Sequence, residues 1–195
     1  MTTTRLTRSE RSALTRSELL EAAERRFFAH GYHGTTLDDI ADEAGYTKGA
    51  VYSTFRSKAG LFLALFDEIA ERRLGEIRAL LSHHDDPGER ATAVARQPVV
   101  EANAQFLLLA IEFWVHAAHE PALLEEFSGR YRRLRASLAE IAPDGGALDA
   151  DRWAMVTLAL SNGLALERLI DPAGVPGDLM GVVQARLVNP SLLPT

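Results

Sequence analysis

The sequence predicts an all-α protein, with an N-terminal three-helix domain over residues 1–57 and a larger helical domain over residues 58–195. Three observations predict it. Apolar residues recur at spacings of three and four through nearly every segment, the period of a helix with one buried face. No segment alternates apolar and polar residues over strand length, and no repeat or low-complexity block interrupts the chain. Residues that start and stop helices, such as Thr36, Gly45, Thr47 and Pro121, stand where the periodic runs begin and end.

The elements follow in order. Ser17 to His30 carries Leu19, Leu20, Ala23, Phe27 and Phe28 and ends before Gly31; its start can lie as early as about Ser9. Leu37, Ile40, Ala41 and Ala44 mark a second helix. The Thr36 hydroxyl can cap its first turn, and Gly45 stands where a C-cap needs positive φ. Thr47 caps a third helix, Lys48 to Phe55, in which Val51 and Phe55 face inward. Lys48, Gly49, Ala50, Ser53 and Thr54 are left free to face a partner. Ser57 can cap a fourth helix running to about Leu81, with Leu61, Phe62, Leu65, Phe66, Ile69 and Leu74 on one face. It is expected to connect the two domains.

Beyond it, HHDDPG at 83–88 reads as a solvated turn and Glu89 to Arg96 as a short helix, with Pro98 breaking the pattern. Val99 to His119 is apolar nearly all round from Phe106 to Val115, which predicts that most of it is buried. Pro121 opens another helix as an N1 proline, with Leu124, Phe127, Tyr131, Leu134, Leu138 and Ile141 on one face. PDGG at 143–146 is a loop. Asp149 or Asp151 begins a helix to Ile170, DPAGVPG at 171–177 is a loop, and Asp178 to Val188 is a final short helix.

With 195 residues and 47% hydrophobic content the chain can bury one sizeable core or two smaller ones. The absence of cysteine excludes a disulfide framework and a zinc–thiolate site. No run is long and apolar enough for a membrane helix, and MTTTRLTRSERSALTR lacks the apolar stretch of a signal peptide. The expected address is the cytoplasm, with no membrane contact.

The stretch Thr35–Lys58, TTLDDIADEAGYTKGAVYSTFRSK, therefore reads as two short helices joined by a tight turn, the second left small and polar on its outer face. That is the shape of a helix-turn-helix, which sets its second helix in the DNA major groove. The charge supports this once it is divided. The net charge is −6, but residues 1–60 hold nine Lys and Arg against eight Asp and Glu, and the excess acid lies beyond them. Arg5, Arg8, Arg11 and Arg16 against Glu10 make the first sixteen residues basic. Such an arm can neutralise phosphates, or simply be a solvated tail.

From about Thr15 to Asp67 the chain resembles the DNA-binding domain of the TetR/AcrR family of bacterial transcription regulators. The resemblance rests on FFAHGYHGTTLDDIADEAGYTKGAVYSTFRSKAGLFLALF. Within it stand the aromatic pair before Gly31, Gly34-Thr35-Thr36, Ile40-Ala41, Gly45, the Gly49…Val51-Tyr52…Phe55 helix and Ser57-Lys58. The family often has an aromatic pair at Tyr52 and Ser53 and a bulky residue or histidine at Thr54; the small residues here imply a different DNA sequence.

The resemblance implies that Thr36, Thr47, Tyr52 and Lys58 touch the phosphate backbone, which fixes register without reading sequence. It places Lys48, Gly49, Ala50, Ser53 and Thr54 over base edges. Lys48 could donate to guanine, and Ala50 or the Thr54 methyl could touch a thymine methyl. The plainer alternatives are that Thr36 and Thr47 are helix caps in any case, Tyr52 a core residue, Lys58 a solvated lysine and Gly49 a weak point in a short helix.

Because one helix-turn-helix seldom binds tightly enough alone, a homodimer on an inverted-repeat operator is expected. Trp153 to Ile170 and Asp178 to Val188 are the candidate interface, one stripe holding Met155, Leu158, Asn162, Leu166 and Leu169 and another Trp153, Val156, Leu160 and Leu164. The family usually pairs two such helices from each subunit in a four-helix bundle. Phe106, Leu109, Phe113, Trp114, Phe127, Tyr131 and Trp153 could line an effector cavity or form a plain core. Gln105, Glu112, His116 and His119 fall on one side of their helix and could be a polar handle for a ligand, a metal site, or a solvated edge. No cofactor is expected. The reading is a repressor released from its operator by a small apolar effector; the alternative is a helical-bundle enzyme or carrier using Glu112, His116 and His119.

Overall fold

A computed structural model of the chain describes residues 7–83, 99–143 and 146–188. Among them the regular elements are helices: α1 (Arg8–His30), α2 (Leu37–Ala44), α3 (Lys48–Phe55), α4 (Lys58–Leu81), α5 (Val99–Ala117), α6 (Pro121–Ala139), α7 (Ala150–Ile170) and α8 (Leu179–Val188). The expected short helix Glu89–Arg96, the turn from His84 to Gly88, Pro98, Arg5 and the middle of the 143–146 loop lie outside the described residues. Packing divides the chain into two compact units, with the break after Ile69. The break falls inside α4, later than residue 57, because the first half of α4 packs with α1: the Phe62 ring meets Phe27 edge-on at 6.1 Å and Tyr32 at 5.6 Å.

The first unit is organised by that aromatic cluster. Leu19, Leu20, Ala23 and Phe27 of α1, Ile40 and Ala41 of α2, Val51 of α3 and Leu61, Phe62 and Leu65 of α4 are essentially inaccessible. Burying a side chain of this size is worth about 1.5–3 kcal/mol, whereas an exposed ion pair such as Arg25–Glu43 is worth about 0–1. The apolar face therefore decides the fold, and the ion pair trims it. Gly34 is required by space: a Cβ there would stand 2.3 Å from the His30 carbonyl oxygen.

α1 begins at Arg8, at the early end of the expected range. Its cap is a reciprocal Thr7–Glu10 box, in which the Thr7 N–H donates to Glu10 Oε2 at 2.7 Å and the Glu10 N–H donates to Thr7 Oγ1 at 3.2 Å. Arg8, Arg11 and Arg16 consequently ride on a helix, so for these three the solvated-tail alternative does not hold. Arg16 lies over the Phe55 ring, 4.9 Å from its centre.

The second unit packs the end of α4 with α5 to α8. Leu74, Leu138 and Ala154 form a buried cluster against which Leu134, Ile141, Trp153 and Leu158 pack. Phe113 and Phe127 meet edge to face at 5.3 Å. A polar pin joins the last two helices: the buried Gln184 donates from Nε2 to Thr157 Oγ1 at 2.8 Å.

Two expectations are corrected here. α5 ends at Ala117 rather than His119, and it is not buried all round. Leu109, Phe113 and Ala117 are buried, but Leu108, Trp114 and Val115 are exposed, because α5 packs its inner side against α6 and α7. The two stripes assigned to α7 also do not hold. Trp153 and Leu158 join the core cluster, Leu164 is buried, and Met155, Val156, Leu169 and Ile170 stand exposed. α7 packs against α5, α6 and α8, and the arc it buries cuts across both stripes.

Candidate DNA-reading surface and ligand cavity

The turn between α2 and α3 is set by local chemistry. Gly45 closes α2 at φ 71°, ψ 26°, a left-handed conformation that costs a side-chain-bearing residue energy. The Thr47 hydroxyl accepts from the Ala50 N–H at 3.3 Å and starts α3. Val51 and Phe55 anchor the inner side of α3 in the core. Tyr46, which sequence reasoning passed over, braces the turn: its hydroxyl accepts from Thr15 at 3.3 Å and donates to Glu18. A tyrosine in a two-helix turn is the signal that could have found it.

The outer side of α3 carries Lys48, Gly49, Tyr52 and Ser53 exposed, with Ala50 and Thr54 half-buried. Tyr52 is 52% exposed, so it is not a core residue. A Cβ on Gly49 would meet nothing nearer than Thr47 Oγ1 at 3.8 Å, so the fold itself does not demand glycine there. Ser53 and Thr54 both donate to the Ala50 carbonyl, at 2.9 and 2.8 Å. Their hydroxyls are left with lone pairs, and so can accept from an external group but not donate without breaking those bonds.

Lys48 is not free, contrary to the expectation from sequence: its ammonium pairs with Asp38 of α2, and the hydrogen bond it donates to Asp38 holds its pKa above the usual lysine value. Thr36 is also engaged. Its hydroxyl donates to Asp39 at 2.6 Å and accepts from the Asp39 N–H at 3.1 Å, closing a capping box. The cap reading of Thr36 therefore describes it here. Thr47 differs, since its hydroxyl only accepts in its cap and keeps a hydrogen to donate outward.

Lys58 points inward. It donates to the carbonyl oxygens of Tyr32 at 2.9 Å and Thr35 at 3.0 Å, and burial lowers its pKa. Sequence reasoning also missed Arg56, which ends α3 at φ 64° and ψ −35°, a costly conformation for a residue other than glycine. No pattern in the sequence marks it.

In the second unit a cleft of about 440 Å³ opens between α5, α6 and α7. Of the residues expected to line an effector cavity, Trp114, Phe127 and Tyr131 face it. Leu109 and Phe113 are core residues, Phe106 lies under the Arg73 guanidinium at 4.9 Å, and Trp153 packs in the Leu74 cluster. Leu107, Ile111, Asn162 and Leu166 take part instead. Asn162 Nδ2 donates to the Tyr131 hydroxyl at 3.2 Å.

The polar edge of α5 does not assemble into a centre. His116 stands 3.8 Å from Glu120, and His119 lies beyond the end of the helix. Among the described residues no group of three or more His, Asp or Glu converges as a metal site would. Among them, too, no helix is long and apolar enough to cross a membrane.

Known proteins resemble the chain along most of its length. The bacterial regulatory proteins of the tetR family match residues 19–65, and the C-terminal domain of BetI-type transcriptional repressors matches residues 87–188. The HTH-type transcriptional regulator TtgR of Pseudomonas putida is 33% identical over 192 residues, covering 90% of this chain and 89% of that protein. The fatty acid degradation regulator FadR of Bacillus halodurans shares the fold at TM-score 0.69 with 18% identity, over 90% of this chain and 95% of that one. A transcriptional regulator of Saccharomonospora viridis solved with choline does so at TM-score 0.66 with 22% identity, over 88% of this chain and 94% of that one. The enzyme-or-carrier alternative on Glu112, His116 and His119 finds no support among these proteins. The chain belongs to the TetR family of bacterial regulatory proteins, ligand-responsive DNA-binding regulators of transcription rather than enzymes.

Proposed function

We propose that this chain is a repressor that holds an inverted-repeat operator as a homodimer and releases it when a small molecule fills the cleft between α5, α6 and α7. One observation carries the DNA half of the reading. α3 is anchored by Val51 and Phe55, and its other face offers small, polar or basic groups together with the exposed phenol of Tyr52. Such a face has no exposed aliphatic anchor, its one large group ends in a hydroxyl that can donate to a phosphate, and its small residues fit a groove. Thr47 and Tyr52 are the phosphate contacts, and Lys48, Gly49, Ala50, Ser53 and Thr54 stand over the bases. Lys48 must exchange Asp38 for a base acceptor, and Thr36 and Lys58 contribute mainly by holding the reading head in shape.

The dimer is supported by an apolar face on α7 and α8 that is exposed among the described residues. Met155, Val156, Leu169 and Ile170 of α7 and Val182 of α8 are exposed, Ile170 by 82%. A Cβ at Gly163 would meet nothing within 4 Å, so glycine there suits the close approach of a second helix. Release follows from differential affinity: a ligand that prefers the shape with misplaced reading heads lowers DNA affinity by that preference. α4 begins in one unit and ends in the other, so it is the covalent route between them. The place of action is the cytoplasm, where bacterial DNA lies.

Selection of bound sequences from random duplex DNA tests the reading. An inverted repeat should emerge. Enrichment of a single, asymmetric half-site would count against the dimeric arrangement, and no enrichment at all against the DNA reading.

A further inference from the structure

Resting on the reading of the α5–α6–α7 cleft as the ligand site, we infer that its ligand is an amphipathic anion: an apolar body ending in a carboxylate or an equivalent acidic group. The walls supply the apolar part. Leu107, Ile111, Trp114, Phe127 and Leu166 line the cleft, and its volume of about 440 Å³ falls within the roughly 300–1,000 Å³ of small-molecule sites.

The charge supplies the rest. The charged groups of the lining are Arg132 and Arg135, one turn apart on α6, and no carboxylate is among the lining residues. Arg132 is exposed and paired with Glu125 at 2.6 Å. Arg135 is half-buried, and among the described residues no carboxylate pairs with it. Its guanidinium lies 5.9 Å from the centre of the Tyr131 ring, near the outer limit of cation–π attraction. Arg135 is thus a fixed positive charge at an apolar cleft with its fork of donors unspent on an anion.

A second donor stands beside it. The Tyr131 hydroxyl accepts from Asn162 at 3.2 Å, which leaves its own hydrogen to donate. A carboxylate is an acceptor only, so guanidinium and hydroxyl match it together. The rival reading is a quaternary ammonium held by the rings of Trp114, Phe127 and Tyr131. That reading is disfavoured because the Arg135 guanidinium already lies on the Tyr131 side and would repel a second cation.

Calorimetric titration of the full chain with three ten-carbon probes, decanoate, decan-1-ol and decyltrimethylammonium, tests the assignment. Decanoate should bind at least about ten-fold more tightly than the alcohol, and the ammonium more weakly than either. Arg135→Gln should bring decanoate down to the level of the alcohol and leave the alcohol unchanged. Trp153→Phe leaves Trp114 as the single tryptophan, and its emission should shift on decanoate binding, which places the probe in the cleft. Equal binding of alcohol and decanoate, tighter binding of the ammonium, an unchanged Arg135→Gln, or a silent Trp114 would overturn the anion assignment while the cleft could still bind a neutral ligand. Failure of all three probes to bind would overturn the reading of the cleft itself.

Discussion

The Lys58 ammonium stands 4.4 Å from the centre of the Tyr32 ring and donates to the Tyr32 carbonyl oxygen at 2.9 Å. With the bond to Thr35, it ties the first turn of α4 to the loop between α1 and α2. Lys58→Met should therefore destabilise the first unit by about 1–2 kcal/mol, since two carbonyls lose their donor in a partly solvated site. In the same variant the slope of log K against log salt should change by less than about 0.9, the value for one phosphate contact. Thermal melts and salt titrations read both. A full unit of slope lost with unchanged stability would make Lys58 a phosphate contact instead.

The pair between Lys48 and Asp38 joins the outer face of α3 to α2. Asp38→Asn should raise affinity for duplex DNA, because it frees the ammonium and removes an anion beside the groove. Lys48→Ala should relax preference at one base position, whereas Tyr52→Ala should weaken all sequences alike. Binding assays on a set of single-base operator variants separate these outcomes.

Hydrogen bonds from Thr36 hold the Asp39 carboxyl below its ordinary pKa of 3.8, with Arg26 and His30 adding smaller effects. A lowered folded-state pKa means that the cap's contribution is fully present above the unfolded value and is lost as pH falls through the folded one. The contribution of this cap should thus be lost only as pH falls below 3.8. Thr36→Ala should bring the Asp39 titration, followed by NMR, back toward 3.8 and cost about 1 kcal/mol at neutral pH. An Asp39 that titrates at its ordinary value in the native protein would contradict the capping box.

Gly163 and Ile170 probe the exposed face of α7. Gly163→Ala should stabilise the isolated helix by up to about 1 kcal/mol and yet weaken self-association, a combination that only a helix-contact site produces. Ile170→Glu should shift the chain toward monomer in sedimentation equilibrium without lowering its helical content. Unchanged association in both variants would place the dimer contact elsewhere.

In the second unit, Gln184→Ala strands the Thr157 hydroxyl and should cost about 1–3 kcal/mol. Gln184→Leu combined with Thr157→Val should cost less than Gln184→Ala alone, because both polar partners leave together. Urea denaturation of the three chains checks this.

α2 and α3 were legible in the sequence because their limits are local: Thr36 with Asp39, Gly45 and Thr47 act within a few residues. The start of α1 is equally local, in Thr7 and Glu10, though this capping box is embedded in a basic stretch with no apolar residue at its first turn. Lys48 and Lys58 were read as outward-facing, and their partners Asp38, Tyr32 and Thr35 lie ten or more residues away. Spacing along one helix cannot show such pairs. The same limit explains the cleft. Periodicity shows that Phe113, Trp114 and Phe127 are apolar, but which of them meets a neighbour and which meets open space depends on how α6 and α7 pack against α5.

Sedimentation velocity of the purified chain, titrated onto a duplex recovered by selection, tests the central claim most directly. Two chains should bind each duplex, with half-sites centred about 34–36 Å apart, one turn of the helix. A single chain per site, or a protein that stays at its free sedimentation rate with duplex present in dilute salt, would contradict it.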